Sequence, residues 1–402
     1  MSRAIEQIQQ AEKWGANNYH PLPIVIERGE GIWVYDTEGK KYMDMLSAYS
    51  ALNQGHRHPK IINALLEQAD KITITSRAFH NDRMGSFLEK LCKLAGFERA
   101  LPMNTGSEAV ETALKAARKW AHQKRGIPED KGEILVCSNN FHGRTITIVS
   151  FSSEEQYKEG FGPFTPGFGI IPYGDLKALE TAIKPETIAI MLEPIQGEGG
   201  VIVPEEGYLK GIREITKKNN LLMILDEVQT GFGRTGKMFA FQHEGIKPDI
   251  LAVGKALGGG VYPVSAILSD NDIMDVFTPG DHGSTFGGNP LAAAVGSAAL
   301  DVLTDEKLDE RSAELGKYFK DKLMEINSPY VSEIRGKGLF IGVEIKKEAG
   351  SARPFCEKLM ELGLLCKETH KYTIRFAPPL VITQDELDQA LAMIRKVLLP
   401  DG

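Results

Sequence analysis

The sequence predicts an α/β protein whose large domain has a mostly parallel central sheet and whose smaller domain is of the α+β type. Helical and strand patterns alternate from about residue 60 to residue 300, as expected of strands connected by covering helices. Short apolar runs in this region are typical of strands covered on both faces, and they span residues 134–137, 188–192, 221–225 and 250–253. Such sheets bind their ligands at the carboxyl ends of the strands.

The chain has 402 residues, which exceeds one ordinary domain of roughly 100 to 200 residues. We predict an N-terminal segment, residues 1–49, that packs with the small domain. A large domain, residues 50–299, carries the ligand site. A C-terminal small domain covers residues 300–402.

The flanking regions have patterns of their own. Residues 24–42 predict a hairpin, because turn residues at 29–31 and 36–39 separate an alternating strand. After the alternating region, helices are predicted at residues 291–303 and 308–326, and strands at residues 338–344 and 373–376.

Composition argues against several classes of function. The net charge of −7 and the pI near 5.8 disfavour nucleic acid as the main partner. No apolar run approaches the roughly 20 residues that cross a membrane. The amino terminus lacks the apolar core of a secretory signal, and the four cysteines form no C-x-x-C pair, so we predict a cytoplasmic protein. His56-Arg57-His58 has no companion ligands at metal-binding spacing, and no metal site is predicted.

Two of the buried runs end in a charge, at Asp226 and Lys255. An unpaired charge removed from water costs several kcal/mol, so a ligand that neutralises both is expected. Pyridoxal phosphate (PLP) suits both residues, because a carboxylate can hold its ring nitrogen protonated while a lysine amine condenses with its aldehyde. A surface lysine is the alternative, and the apolar run before Lys255 argues against it.

The segment Asn104-Thr105-Gly106-Ser107-Glu108 offers a seat for phosphate at the start of a helix that is predicted to reach about Trp120. Thr105 and Glu108 have capping-box spacing, and Gly106 allows close approach to the free backbone N–H groups. Considered alone, the segment is more simply an ordinary helix cap.

Residues 231–237, GFGRTGK, match the dinucleotide pattern G-x-G-x-x-G and nearly match the P-loop. The P-loop match fails at Met238, where a hydroxyl should bind magnesium, and no clear long helix follows the glycines. A glycine-rich turn that carries substrate-site loops is the preferred interpretation, with a purely structural turn as the alternative. A nucleotide-binding protein remains a rival function.

Together the motifs resemble those of subgroup II (class III) PLP-dependent aminotransferases, most of all the ornithine δ-aminotransferases, over essentially the whole chain. The segments that carry the resemblance are YHPLP at 19–23, SAYSA at 47–51, NTGSE at 104–108, EPIQGE at 193–198, LDEVQ at 225–229 and GSTFGGNP at 283–290. The resemblance implies the PLP-dependent transferase fold type I and a homodimer whose active sites lie at the subunit interface.

The resemblance also implies cofactor roles. Lys255 binds the cofactor's aldehyde covalently and, once displaced by substrate, moves a proton. Asp226 pairs with the pyridine nitrogen, whereas Glu227 should face the other way because successive strand residues point to opposite sides. The remaining implied contacts are a stacked ring from Phe141, a bond from Gln229 to the phenolic oxygen, phosphate donors Gly106 and Ser107, and Ser284 and Thr285 from the partner subunit.

For the substrates, the resemblance implies transfer of the δ-amino group of ornithine to 2-oxoglutarate, which gives glutamate and glutamate 5-semialdehyde in proline synthesis or arginine breakdown. Arg375 binds the α-carboxylate of the dicarboxylic substrate, Glu198 neutralises Arg375 when ornithine enters, and Arg144 holds the distant carboxylate. Tyr19 meets the α-amino group of ornithine, and Tyr49 shapes the pocket.

Alternatives remain at the level of substrate and reaction. An acetylornithine aminotransferase or another ω-aminotransferase of the same family is the nearest, and His142 resembles the acetylornithine type while Tyr49 favours unacylated ornithine. Ser107 replaces a valine that is familiar in animal ornithine enzymes. An aminomutase or racemase on the same scaffold would need no 2-oxo acid acceptor.

Overall fold

The computed structural model describes residues 3–400. The helical segments are α1 (Arg3–Trp14), α2 (Ser47–Ser50), α3 (Pro59–Ala69), α4 (Met84–Ala95), α5 (Gly106–Arg125), α6 (Ile146–Ser150), α7 (Leu176–Ala182), α8 (Tyr208–Lys218), α9 (Asn271–Met274), α10 (Pro290–Asp305), α11 (Leu308–Glu325), α12 (Arg353–Glu361) and α13 (Gln384–Leu398). Within residues 3–400, no helix is long and apolar enough to cross a membrane.

The strands form three sheets. They are β1 (Ile26–Glu30), β2 (Trp33–Asp36), β3 (Lys41–Asp44), β4 (Arg99–Met103), β5 (Glu133–Cys137), β6 (Phe168–Ile171), β7 (Thr187–Leu192), β8 (Leu222–Asp226), β9 (Ile250–Val253), β10 (Ser265–Ser269), β11 (Val331–Lys337), β12 (Phe340–Ile345), β13 (Leu364–Leu365), β14 (Lys367–Thr369) and β15 (Thr373–Phe376).

The central sheet has seven strands in the order β4-β10-β9-β8-β7-β5-β6. Strands β9, β8, β7, β5 and β6 are parallel, and only β10 runs antiparallel to its neighbours β9 and β4. This confirms the predicted α/β class and the mostly parallel sheet, and the four predicted apolar runs correspond to β5, β7, β8 and β9.

Successive side chains of these strands point to opposite faces of the sheet, so the core has two layers. On β8, Ile224 packs in the cluster that contains the apolar face of α5, whereas Met223 and Leu225 pack in the larger cluster on the other side. Every residue of β7, β8 and β9 is buried. Because both faces are covered by helices, the strands read as continuous apolar runs.

The N-terminal region has one strand more than the predicted hairpin. β1, β2 and β3 form an antiparallel meander, and β3 then pairs in parallel with β13 from the C-terminal region. The turn at Gly31 has a φ of +59°, which glycine adopts without strain. The third strand is short and its partner is distant in sequence, so local alternation alone does not reveal it.

The C-terminal region has an antiparallel sheet in the order β11-β12-β15-β14. The predicted strands at 338–344 and 373–376 correspond to β12 and β15, and the predicted helices to α10 and α11. Helix α10 continues through residue 300. The proposed division of the chain at residues 49 and 299 stays a prediction.

Residues 231–237 form a structural connection around a buried arginine. Arg234 Nη1 donates to the carbonyls of Leu339 (2.8 Å) and Pro378 (2.6 Å), and Nη2 donates to Asn53 Oδ1 (2.6 Å) and Ser47 Oγ (3.1 Å). Burial lowers the pKa of Arg234 to about 9. One guanidinium therefore joins residues 47–53 to the C-terminal part of the chain. No P-loop helix follows the glycines.

We predict that Arg234→Gln lowers the free energy of unfolding by about 3 kcal/mol or more, because several buried acceptors lose their donor. The midpoint of urea denaturation measures this change. Lys237→Ala, which alters an exposed side chain of the same loop, is the matched control and should stay within about 0.5 kcal/mol of the original protein. Equal midpoints for the two variants would contradict the structural role of Arg234.

Candidate active site

The carboxyl edge of the central sheet collects ionisable side chains. Glu193 follows β7, Asp226 ends β8, and Lys255 follows β9 after Gly254. Lys255 begins a short 3₁₀ helix, Lys255–Gly258, with a φ of 44°. Burial lowers the pKa of the Lys255 amine, and the nearby carboxylates of Glu198 and Asp226 act in the opposite direction. A larger fraction of the Lys255 amine is thus unprotonated, and able to act as a nucleophile, than of an exposed lysine.

The carboxylate doublet at the end of β8 is divided between two environments. Asp226 Oδ2 lies 2.7 Å from His142 Nδ1, and Oδ1 accepts from the Val228 N–H. Glu227 instead accepts from the N–H groups of Ala240 (2.6 Å) and Phe241 (2.9 Å). Asp226 therefore faces the crevice, while Glu227 anchors the loop that follows.

His142 is a site residue that the sequence reasoning noted only as a departure from the expected pattern. Its side chain is buried. Burial lowers its pKa, but the hydrogen bond and charge of Asp226, with the charge of Glu193, raise it above the ordinary value on balance. The hydrogen bond between His142 and Asp226 holds that carboxylate in one orientation. Its adjacency to the predicted Phe141 was the available sequence signal.

Glu193 is the other buried carboxylate of this edge. Its oxygens accept from the N–H groups of Phe141 and Gly197, each at 3.0 Å. Burial raises the pKa of Glu193 to about 7. Its two bonds fix the backbone on both sides of the crevice, and one of them orients the segment that presents Phe141.

The amino end of α5 is built as an anion seat. The predicted capping box is present, with Thr105 Oγ1 accepting from the Glu108 N–H and Glu108 accepting from the Thr105 N–H. A Cβ added at Gly106 would lie 3.0 Å from Val228, and one at Gly143 would lie 2.2 Å from Ser107 Oγ. The first backbone N–H groups of the helix can therefore meet an anion closely packed against the end of β8. The helix extends to Arg125, beyond the predicted Trp120.

These residues fit PLP. The crevice offers a buried amine at Lys255, a fixed carboxylate at Asp226, an anion seat at the start of α5 and a half-buried ring at Phe141. Each matches one chemical feature of PLP, which are its aldehyde, its ring nitrogen, its phosphate and its planar ring. Within residues 3–400, no group of three or more His, Cys, Asp or Glu side chains could hold a metal ion.

Arg375 also lies in this site, and only one of its guanidinium nitrogens forms hydrogen bonds. Arg375 Nη1 donates to Glu198 Oε1 and, at 3.2 Å, to Gln229 Oε1. Its Nε and Nη2 atoms are buried and have no hydrogen-bond partner among residues 3–400. That free edge of the guanidinium has the geometry that binds a carboxylate in bidentate fashion.

The partners of Arg375 hold its guanidinium in place. Burial raises the pKa of Glu198, but its pairing with Arg375 outweighs this and lowers the pKa overall. Gln229 Nε2 also donates to Glu198 at 3.4 Å. The Arg375 guanidinium lies 5.0 Å from the centre of the Tyr49 ring. The structure thus brings together four of the residues that the sequence singled out, namely Glu198, Gln229, Arg375 and Tyr49.

Arg144 lies at the exposed side of the same crevice. Its guanidinium carbon is 3.7 Å from the centre of the Tyr157 ring and 5.4 Å from that of Phe141. Sequence reasoning did not identify Tyr157, because no motif marks it and its contact with Arg144 arises from folding of the intervening loop.

The other three predicted site residues lie apart from this cluster. The Tyr19 side chain is 73% exposed. Ser284 Oγ accepts from Asn104 Nδ2 of the same chain at 2.8 Å, and with Thr285 it lines an open cavity of about 600 Å³ bounded also by residues 74–77. Their roles toward substrate and toward a partner's phosphate stay predictions.

We predict that Glu227 makes the free energy of unfolding depend on pH, because burial raises its pKa from 4.5 to about 7. The folded state then holds this proton more tightly than the unfolded state, so the contribution is complete below about pH 4.5 and is lost as the pH rises through about 7. It amounts to up to about 3 kcal/mol.

Glu227→Gln should therefore flatten the fall of the melting temperature between about pH 5 and 8. Calorimetry across this range measures it, with Glu206→Gln as an exposed control. Glu193 titrates in the same range and leaves a residual slope. An unaltered slope in Glu227→Gln would show that Glu227 does not change its charge there.

Comparison with known proteins agrees with this geometry. The sequence pattern of the family described as "Aminotransferase class-III" matches residues 14–398. An ornithine aminotransferase of Brevibacillus brevis is 64% identical, with 99% of each chain covered. That of Bacillus subtilis is 60% identical over 99% of this chain and 98% of its own.

Solved structures extend the comparison. The ornithine aminotransferase of Toxoplasma gondii superposes with a TM-score of 0.97 and 46% identity, covering 99% of this chain and 95% of its own. An acetylornithine aminotransferase of Elizabethkingia anophelis gives a TM-score of 0.90 and 49% identity, with 99% of each chain covered. The match over nearly the whole length, together with the crevice described above, shows that the chain belongs to the class-III aminotransferase family.

Proposed function

We propose that this chain is a PLP-dependent aminotransferase that moves the δ-amino group of L-ornithine to 2-oxoglutarate, giving glutamate 5-semialdehyde and glutamate. The observation that carries the proposal is the half-engaged Arg375, which shares one edge with Glu198 and leaves the other edge free. The relatives at 60–64% identity support it, because they are ornithine aminotransferases and match this chain over 98–99% of their own length.

When bound, PLP supplies a carbonyl for the substrate amine and a ring that accepts the electrons left by proton removal. Lys255 holds the cofactor at rest and, once freed, removes and returns the proton at the substrate carbon that bears the reacting nitrogen. Asp226, fixed by His142, supplies the negative charge that keeps the ring nitrogen protonated.

Two substrates must use one pocket in turn. Glutamate and 2-oxoglutarate carry a carboxylate beside the reacting carbon, whereas ornithine reacts at an amine with no carboxylate beside it. Arg375 can bind the first carboxylate through its free edge, and Glu198 can neutralise Arg375 when ornithine is present. Their direct contact is the state expected for ornithine, because an unpaired buried guanidinium would disfavour an approaching cation.

Arg144 takes the carboxylate at the other end of the substrate. In ornithine this is the α-carboxylate, and in 2-oxoglutarate it is the side-chain carboxylate. Arg144 is exposed and has aromatic rings beside it, so no carboxylate among residues 3–400 competes with the substrate for its N–H groups. Tyr19, which is exposed in the single chain, is proposed to meet the α-amino group of ornithine.

Acetylornithine is the second candidate substrate. The Elizabethkingia anophelis structure is of an acetylornithine aminotransferase and shares 49% identity with this chain. Against it, position 49 is a tyrosine, whose ring lies 5.0 Å from the Arg375 guanidinium, and the resemblance to ornithine enzymes associates a bulky residue at this position with unacylated ornithine. We therefore favour unacylated ornithine.

We further propose a cytoplasmic homodimer with active sites at the subunit interface. Support comes from the open cavity lined by Ser284 and Thr285, which presents hydroxyl groups beside the exposed Phe286. The four cysteines are free and buried, as expected of a reducing compartment.

The proposal is tested with purified holoenzyme and two amine donors, ornithine and Nα-acetylornithine, with 2-oxoglutarate as acceptor. We expect faster turnover of ornithine and formation of glutamate. Lys255→Ala should abolish turnover and the visible absorbance of the covalently held cofactor, because the amine that binds it is gone. A preference for the acetylated donor would replace the proposal with the second candidate, and turnover without a 2-oxo acid would indicate a mutase or racemase.

Arg375→Ala should slow the half-reaction with glutamate or 2-oxoglutarate by about a hundredfold or more, because a buried bidentate carboxylate partner is lost. The half-reaction with ornithine should change much less. Single-turnover kinetics of the two halves measures the difference. Equal losses in both halves would contradict the exchange of partners between Glu198 and substrate.

A further inference from the structure

Arg144 is positioned without an acidic partner. Within residues 3–400, no carboxylate forms an ion pair with it. Its guanidinium carbon lies 3.7 Å from the centre of the Tyr157 ring and 5.4 Å from that of Phe141. The two rings meet edge to face, with centroids 6.1 Å apart. A long flexible side chain on an exposed surface is thus held by aromatic surfaces.

Tyr157 is itself held in place. It ends a short 3₁₀ helix, Glu155–Tyr157, and its N–H donates to the Glu154 carbonyl at 3.0 Å. The Glu154 N–H donates to Ser152 Oγ at 3.1 Å, and Ser153 Oγ accepts from the Asn139 N–H at 2.7 Å. The loop that carries Tyr157 is therefore tied to the segment just after β5, close to Phe141.

The electrostatic surroundings keep the ring neutral. Burial raises the pKa of the Tyr157 phenol, Arg144 opposes this, and the charges of Glu198 and Glu154 raise it further. Glu198 is therefore close enough to Tyr157 for its charge to act on the phenol. A neutral ring attracts a guanidinium through its face.

An aromatic ring and an acid contact different parts of the Arg144 guanidinium. A ring binds the flat face of a guanidinium, whereas a carboxylate binds the N–H groups along its edge. An acidic neighbour would occupy the edge that a substrate carboxylate needs. A stacked ring fixes the direction of Arg144 without placing an acid on that edge.

We propose that Tyr157 positions Arg144, and thereby sets how tightly the site binds the substrate carboxylate that is remote from the reacting carbon. The proposal rests on the role of Arg144 given under the proposed function. It makes Tyr157 a determinant of the preference for substrates that carry such a carboxylate.

The first experiment measures binding of pentanedioate to the holoenzyme by calorimetry, since this dicarboxylate can engage both arginines but cannot react. Tyr157→Ala should weaken binding about tenfold, within the range of a partly desolvated cation–π contact. Tyr157→Phe keeps the ring and should restore binding to within about twofold. Phe161→Ala, which removes an exposed ring of the same loop, is the matched control and should change nothing.

A double-mutant cycle separates positioning from general damage to the loop. In an Arg144→Ala background, Tyr157→Ala should weaken pentanedioate binding no further, because the group through which it acts is absent. If the two losses multiply instead, Tyr157 does not act through Arg144 and the proposal is overturned.

The second experiment compares 2-oxoglutarate with 2-oxobutanoate, which lacks the remote carboxylate, in single turnovers of the aminated holoenzyme. Tyr157→Ala should raise the concentration of 2-oxoglutarate that gives half-maximal rate by about tenfold and leave the limiting rate and the reaction of 2-oxobutanoate unchanged. Equal losses with both acids would overturn the proposal. Failure of the original protein to use ornithine would refute the proposed function, whereas the pentanedioate cycle would still test Tyr157 and Arg144.

Discussion

The burial of charge at the carboxyl edge of the central sheet is the constraint on which the rest of the site depends. Asp226, Glu193 and Lys255 lie at the carboxyl ends of three neighbouring strands, and Glu198 and Arg375 close the crevice. A charge removed from water destabilises the fold by several kcal/mol unless a partner compensates it. His142, the backbone N–H groups around Glu193, and the Arg375–Glu198 pair supply these partners. The arrangement leaves three groups available to a ligand, which are an amine, an anion seat and one edge of a guanidinium. The ligand must match all three.

A second constraint joins the N-terminal segment to this crevice. Residues 47–50 all have positive φ angles, from 46° to 70°, and a left-handed turn costs about 1–2 kcal/mol for each such residue. Ser47 Oγ donates to the Ala377 carbonyl at 2.7 Å and accepts from the buried Arg234. Asp44 Oδ1 accepts from the N–H groups of Leu46 and Ser47. These contacts hold the strained turn, and the turn places the Tyr49 ring 5.0 Å from the Arg375 guanidinium, so the strain lies at the proposed substrate pocket.

Arg234 shows why a motif needs its structural context. Its sequence neighbourhood nearly satisfies a phosphate-binding pattern, yet the side chain is fully buried and donates to carbonyl and amide oxygens from three parts of the chain. Glycines at 233 and 236 have φ angles of 86° and 90°, so they allow the tight path around the guanidinium. The same residues that would cradle a phosphate in a P-loop here close around a cation that the protein itself provides.

The sequence by itself determined the α/β class, four of the seven strands of the central sheet, the capping box at Thr105 and Glu108, and the different environments of Asp226 and Glu227. These features follow from local alternation and spacing, which are written in consecutive residues. Only the tertiary structure decided the third strand of the N-terminal sheet, the contact of His142 with Asp226, the cluster around Arg234 and the stacking of Tyr157 on Arg144. Each of these joins side chains whose proximity depends on long-range packing, and no local period records which distant residues will meet.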